Sequence, residues 1–190
     1  MTWKTIFNPF SKFSEVQLLF AGLIFMLISF AVCYYFGLQM DSIFHFGYIN
    51  KNHTTLQIIW ITLRSYLIGF FAFFILGKIY NRKTRFIDII NTILISQIPG
   101  LIIVVIGEIP FIENALALTA TISNDENTKL PLINIIIICV YIFINLLVAA
   151  YGMTLLYNGF RTATNIKNWK QIVLFAFVVI ATVTISQFLI

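Results

Sequence analysis

The sequence predicts an all-α membrane protein, a bundle of five transmembrane helices with a cytoplasmic N-terminus and a C-terminus outside. Three observations carry this reading. Of the 190 residues 60% are hydrophobic and only 10% charged, against about 25% charged in soluble domains, and the mean hydropathy is +0.95. The apolar residues gather into five runs, about 16–37, 56–79, 87–107, 132–157 and 171–190, each meeting the roughly 20 residues that cross about 30 Å of hydrocarbon. The cations follow the alternation of the runs. Lys4, Lys12, Lys78, Arg82, Lys83, Arg85, Arg161, Lys167 and Lys170 fall on one side, whereas only Lys51 and Lys129 fall on the other. Short loops rich in Lys and Arg stay cytoplasmic, so this bias sets the orientation. It also accounts for the net charge of +5, and no nucleic-acid partner is predicted.

So little chain is left outside the runs that one domain is expected, residues 16–190, preceded by a cytoplasmic interfacial segment, 1–15. In that segment Trp3, Ile6, Phe7, Phe10 and Phe13 recur at roughly helical spacing with Lys4 and Lys12 between them. This suits a stretch lying in the headgroup plane, interrupted at Pro9. Ser14 and Gln17 have capping-box spacing, so the first span is expected to start near Val16. That first run is too long for a signal peptide and lacks a small-x-small cleavage site.

The loop 41–55, DSIFHFGYINKNHTT, mixes aromatic and polar residues and is expected at the outer interface. Asp41, His45 and His53 match no metal-ligand spacing, so no metal is predicted. Asn52, His53 and Thr54 form a glycosylation sequon on the outer side. In span two, Arg64 lies about eight residues from the start, where a charge costs about 2.5–3.5 kcal/mol on insertion scales. Such a side chain must snorkel, pair or face a wet cavity. Glu108, at the outer end of span three, is the nearest acid, and an Arg64–Glu108 ion pair is expected, either orienting helices or serving a substrate.

The block from Gly77 to Gly100, GKIYNRKTRFIDIINTILISQIPG, holds the basic cluster Lys78, Arg82, Lys83 and Arg85 and then Pro99–Gly100 in mid-span. Proline removes the hydrogen bond to the carbonyl of Ile95 and clashes there, so span three should kink. Asn91, Gln97, Asn134, Asn145 and Gln187 are expected to hydrogen-bond between helices at about 0.6 kcal/mol each. Ser65 with Gly69, and Thr182 with Ser186, permit close helix approach. Between spans three and four an apolar stretch, Ala115 to Ile122, suggests a short surface helix, followed by a polar, acidic stretch from Ser123 to Lys129. Cys33 and Cys139 lie within apolar runs and read as buried thiols with no disulfide.

No metalloprotease, nucleophile-elbow or phosphate-loop motif is present and no aspartate pair lies within a span. The chain is therefore read as non-enzymatic, with no cofactor. The two basic loops, including Arg161, Lys167 and Lys170, are expected among anionic lipid headgroups. A homo-oligomer or another membrane protein is the remaining kind of partner.

Three passages carry a resemblance: WKTIFNPFSKFSE before span one, LGKIYNRKTRFIDIINTILISQIPG with its mid-helix Pro99, and YNGFRTATNIKNWKQIVLFAF between spans four and five. With the count of five spans, they resemble the Yip domain family of Ypt/Rab-interacting integral membrane proteins, in its divergent bacterial branch. The resemblance implies a five-helix membrane domain with a cytoplasmic N-terminus, here in a bacterial cytoplasmic (inner) membrane. Eukaryotic members are associated with small GTPases and vesicle traffic. This sequence lacks their Asp-Leu-x-Gly-Pro motif, so no functional residue is carried over. The expectation is a membrane-organising or partner-recruiting factor; the alternative is a small permease or transporter subunit using Arg64, Glu108 and the Pro99 kink.

Overall fold

Long apolar runs in hydrocarbon become helices because every backbone polar group must be satisfied within the segment. The computed structural model describes residues 3–122 and 130–188; the acidic stretch Ser123–Lys129 lies outside them. In chain order come α1 (Trp3–Phe7), a single 3-10 turn (Pro9–Ser11), α2 (Glu15–Tyr35), β1 (Leu38–Ser42), β2 (His45–Tyr48), α3 (Thr55–Tyr80), α4 (Phe86–Ser96), α5 (Gly100–Gly107), α6 (Pro110–Ile122), α7 (Leu132–Thr164) and α8 (Trp169–Phe188). Five stretches are long and apolar enough to cross a membrane: α2, α3, α4 with α5, α7 and α8.

The boundaries follow local chemistry. The Ser14–Gln17 capping box forms in both directions at the start of α2, and a second one, Thr54 with Gln57, starts α3. Pro131 precedes α7, and that helix ends at Asn165 in the left-handed conformation, where a short polar side chain is tolerated. At 33 residues, α7 is roughly 50 Å long at about 1.5 Å per residue, well beyond a bilayer core. The expected surface helix after span three is α6, with Ile112 and Ala115 buried.

Alternation of the spans gathers the starts of α2, α4 and α8 and the ends of α3 and α7 at one end of the bundle, the basic end. The broken span α4–α5 is central: α4 packs against α7, α2 and α3, while α8 packs on α3. Gly22 brings α2 close to α4, since a Cβ there would sit 2.6 Å from that of Leu94. Near the basic end Phe73, Phe160 and Phe175 form an aromatic cluster with ring centroids 5.0–5.9 Å apart, and the first two are fully buried. Cys33 is buried, but Cys139 is exposed on the half of α7 away from the basic end, because that half of the helix has few neighbours within the chain.

The largest departure from the expected all-helical bundle is at 38–48. Instead of lying flat at the interface, it forms a two-stranded antiparallel hairpin, with Leu38 opposite Tyr48 and Ser42 opposite His45, inserted among the helices. Met40, Ser42 and Ile43 are buried.

Candidate functional site

Two features break the regularity of the bundle, the inserted hairpin and the kinked span beneath it, and they meet. The hairpin tip is a two-residue turn, Ile43–Phe44. Ile43 is 2% exposed and packs against Gly69 of α3, where a Cβ would overlap Ile43 Cδ1 and come within 2.9 Å of Cγ1. Gly69 lies roughly 20 Å from the Thr55 end of α3 at about 1.5 Å per residue, so the tip reaches the middle of the bundle. The expected role of Ser65 and Gly69 as a helix-packing pair is thus taken by a hairpin seat.

Phe44 holds φ at 66°, a left-handed conformation costing a non-glycine residue about 1–3 kcal/mol. Two contacts fix it. Its N–H donates to Gln97 Oε1 at 3.2 Å, and its ring lies against α7 at Gly152, where a Cβ would meet Cε1 at 2.9 Å. Phe46, on the return strand, packs in the same way on Gly100. Irregular backbone at membrane depth is tolerated where protein buries it and supplies its partners; here Gln97 supplies one.

Gln97 stands where Pro99 interrupts the span. The kink is a full break: α4 ends at Ser96 and α5 begins at Gly100. Tighter turns carry the chain across it, with Ile98 N–H donating to the Ile95 carbonyl at 3.3 Å and Gly100 N–H to that of Gln97 at 3.0 Å. The carbonyl left without its usual donor is partly served in this way.

Opposite the hairpin, the break opens a lateral apolar cavity of about 600 Å³, lined by Ile95, Ile98, Pro99 and Ile102, by Leu18 and Phe25 of α2, and by Tyr151 and Leu155 of α7. The N-terminal segment closes its basic end. Tyr151 Oη donates to the Ile6 carbonyl at 3.0 Å, Asn158 Nδ2 donates to the Phe7 carbonyl at 2.8 Å, and the Phe7 and Tyr151 rings meet edge to face at 5.6 Å. The segment is therefore strapped to α7. Beside the cavity, sharing Phe13 and Leu18 with it, is a polar chamber of about 480 Å³ lined by Glu15, Arg85, Asp88, Asn91, Thr92 and Thr162 among others.

Arg85 bonds Asp88 through Nε at 3.1 Å and Nη2 at 3.0 Å, and its Nη2 also donates to Glu15 Oε1. The hydrogen bonds to Asp88 and then Glu15 raise its pKa further. Asp88, three residues after Arg85 at the opening of a helix, was a legible pairing signal; Glu15, seventy residues away, was not. Lys78 donates to the Arg82 carbonyl at 3.1 Å and lies over the Phe74 ring. Lys78, Arg82, Lys83, Arg161, Lys167 and Lys170 are all exposed at the basic end.

The structure does not bring Arg64 and Glu108 into an ion pair. Among the described residues, the ion pairs are Arg85–Glu15 and Arg85–Asp88, and His45 Nδ1 is hydrogen-bonded to Asp41 Oδ1 at 2.6 Å. The break at Pro99 explains the separation, because α5 turns to α7, α2 and α6 while α3 keeps α4, α7, α8 and the hairpin as its main neighbours. Arg64 is half-buried on α3. Glu108 faces a different cavity, of about 300 Å³, shared with His45, Tyr141 and Asn145, and burial, then Glu113, raises its pKa. Of the polar residues expected between helices, Asn91 joins α4 to α2 through the Glu15 carbonyl at 3.0 Å and Gln97 binds the hairpin. Asn145 donates within its own helix, to the Tyr141 carbonyl at 2.9 Å.

A model of the Yip1 domain matches residues 3–190, essentially the whole chain. No curated protein and no solved structure matches it.

Proposed function

The chain belongs to the Yip1 domain family, which is not a known enzyme family, and from that premise we propose that it is a non-enzymatic membrane-organising or partner-recruiting protein. In this reading the basic end and N-terminal strap face the cytoplasm, the membrane is the bacterial cytoplasmic (inner) membrane, and the basic loops rest among anionic headgroups. The partner is another membrane protein or a second copy of this chain, met along the outer half of α7.

The observation that carries the reading is the uneven covering of the spans. The most apolar window of α7 has 0% of its residues buried, against 61% for the central broken span, so Val140, Phe143, Leu146 and Leu147 are exposed. Helices associate in lipid by close packing rather than by a hydrophobic drive, and α7 offers an uncovered length on which to do so. Photo-crosslinkers placed at Phe143 and Leu146 in native membranes test this. A recurrent protein adduct, or a dimer of the chain, is expected. Adducts to lipid alone, or substrate turnover by the purified protein that a point mutation abolishes, would overturn it.

A second reading, a small permease or transporter subunit, is favoured by one observation: irregular backbone at mid-bundle beside a broken helix, an arrangement also used at transport sites. Labelling of Arg64→Cys by a membrane-impermeant thiol reagent from outside, with flux through reconstituted vesicles, supports it; complete protection removes it.

A further inference from the structure

We infer that the polar chamber beneath the N-terminal strap and the apolar cavity beside it form one binding site for a membrane phospholipid whose headgroup carries a primary ammonium. This inference stands apart from the partner surface on α7, and neither depends on the other.

Apart from Arg85 and the Ser14 hydroxyl, the polar side chains of the chamber offer acceptors. Asn91 lines it and is 2% exposed. Its Nδ2 donates to the Glu15 backbone carbonyl at 3.0 Å, which fixes the amide orientation, since its oxygen cannot face another acceptor. Asn91 Oδ1 is buried and is left without a partner among the described residues, a state that buried acceptors rarely keep. Thr92 Oγ1 spends its proton on the Asp88 carbonyl at 2.7 Å, and Thr162 Oγ1 spends its own on the Asn158 carbonyl at 2.8 Å. Both hydroxyls can then only accept.

Charge points the same way. Glu15 and Asp88 share the single guanidinium of Arg85, leaving one net negative charge among the residues that line the chamber. A primary ammonium brings one positive charge and three donors with no acceptor. A quaternary ammonium brings the charge without donors, and a hydroxyl headgroup brings donors without the charge. Arg85, exposed at the rim, has N–H groups outside its two carboxylate contacts, suited to the phosphate that such a headgroup carries.

The neighbouring cavity makes the ligand a lipid rather than a free amine. It shares the side chains of Phe13 and Leu18 with the chamber, and its wall is almost wholly apolar. Its volume of about 600 Å³ is within the roughly 300–1,000 Å³ of small-molecule sites, and Pro99 shapes it by breaking the span. An acyl chain entering there places its headgroup at the level of Glu15 and Arg85, where α2 and α4 begin.

The test uses the full-length chain, delipidated in mild detergent, with native mass spectrometry of bound lipid. The probes are phosphatidylethanolamine, phosphatidylcholine and phosphatidylglycerol with identical chains, and chain-free glycerophosphoethanolamine. Expected is at least a tenfold preference for phosphatidylethanolamine over the other two lipids. That preference should be lost in Asn91→Leu. Ala21→Phe, which fills the apolar cavity without touching the chamber, should weaken all diacyl binding. Equal binding of the three lipids, an unchanged preference in Asn91→Leu, or equal affinity for the chain-free headgroup would overturn the proposal. Should Asn91→Leu fail to fold, the wild-type lipid comparison and Ala21→Phe decide the matter between them.

Discussion

If the hairpin occupies the middle of the bundle, adding one methyl group to α3 should destabilise a helix that it would otherwise strengthen. Gly69→Ala is the perturbation. In a helix interior alanine is favoured over glycine by about 0.5–1 kcal/mol, so with the 38–48 segment lying outside the bundle this change would be neutral or stabilising. In the structure the new Cβ would overlap Ile43 Cδ1 and approach Cγ1, and Ile43, 2% exposed, has nowhere to swing. Overpacking of this kind costs about 1–3 kcal/mol, so a net loss of up to about 2.5 kcal/mol is expected once the helical gain is subtracted. Ile43→Ala alone should cost about 2–5 kcal/mol through the cavity it leaves. In the Ile43→Ala background the methyl group at 69 has room, and Gly69→Ala should become neutral or stabilising. The assay is reversible unfolding in mixed micelles followed by tryptophan fluorescence, analysed as a double-mutant cycle. Additive effects, or a stabilising Gly69→Ala in the otherwise unaltered chain, would refute the insertion.

Three further outcomes follow from the same geometry. Ser42→Cys, at a fully buried position near the hairpin tip, should resist a water-soluble maleimide while Tyr48→Cys, 82% exposed at its base, reacts; equal reactivity would place the hairpin outside. Gln97→Leu removes the acceptor for the Phe44 N–H and should cost about 1–3 kcal/mol in the unfolding assay, with Gln97→Glu, which keeps an acceptor, closer to the parent. Burial beside Glu113 raises the pKa of Glu108, so the folded state holds that proton more tightly than the unfolded one; stability should fall as pH rises through the folded value, and Glu108→Gln should flatten that fall, whereas an unchanged pH profile would remove Glu108 from the account.

What the sequence made legible was whatever depends on local composition. Five spans, their order, the first cap at Ser14 and the break at Pro99 are each written in one contiguous stretch, because helix length, capping and proline geometry are local properties. The hairpin was hidden because its partners are dispersed. DSIFHFGY alone is indistinguishable from an aromatic interface loop. Only its complements, Gly69 in α3, Gly100 at the break and Gly152 in α7, make room for Ile43, Phe46 and Phe44, and each glycine by itself reads as helix packing. Arg64 misled for a related reason: a kink at Pro99 is legible in the sequence but its direction is not, and the break turns α5, with Glu108 at its end, towards α7 and away from α3. The chamber was half legible, with Arg85 and Asp88 adjacent in sequence but Glu15 and Asn91 brought in by the packing of α2 on α4. Hairpin seat and apolar cavity meet at one residue, Pro99. Pro99 ends α4 just past Gln97, whose side chain holds the hairpin turn, and the break also lines the apolar cavity beside the chamber. Replacing it by leucine would restore a continuous helix, so that hairpin seat and cavity should be lost together, and a Pro99→Leu variant that kept one without the other would show that they are independent.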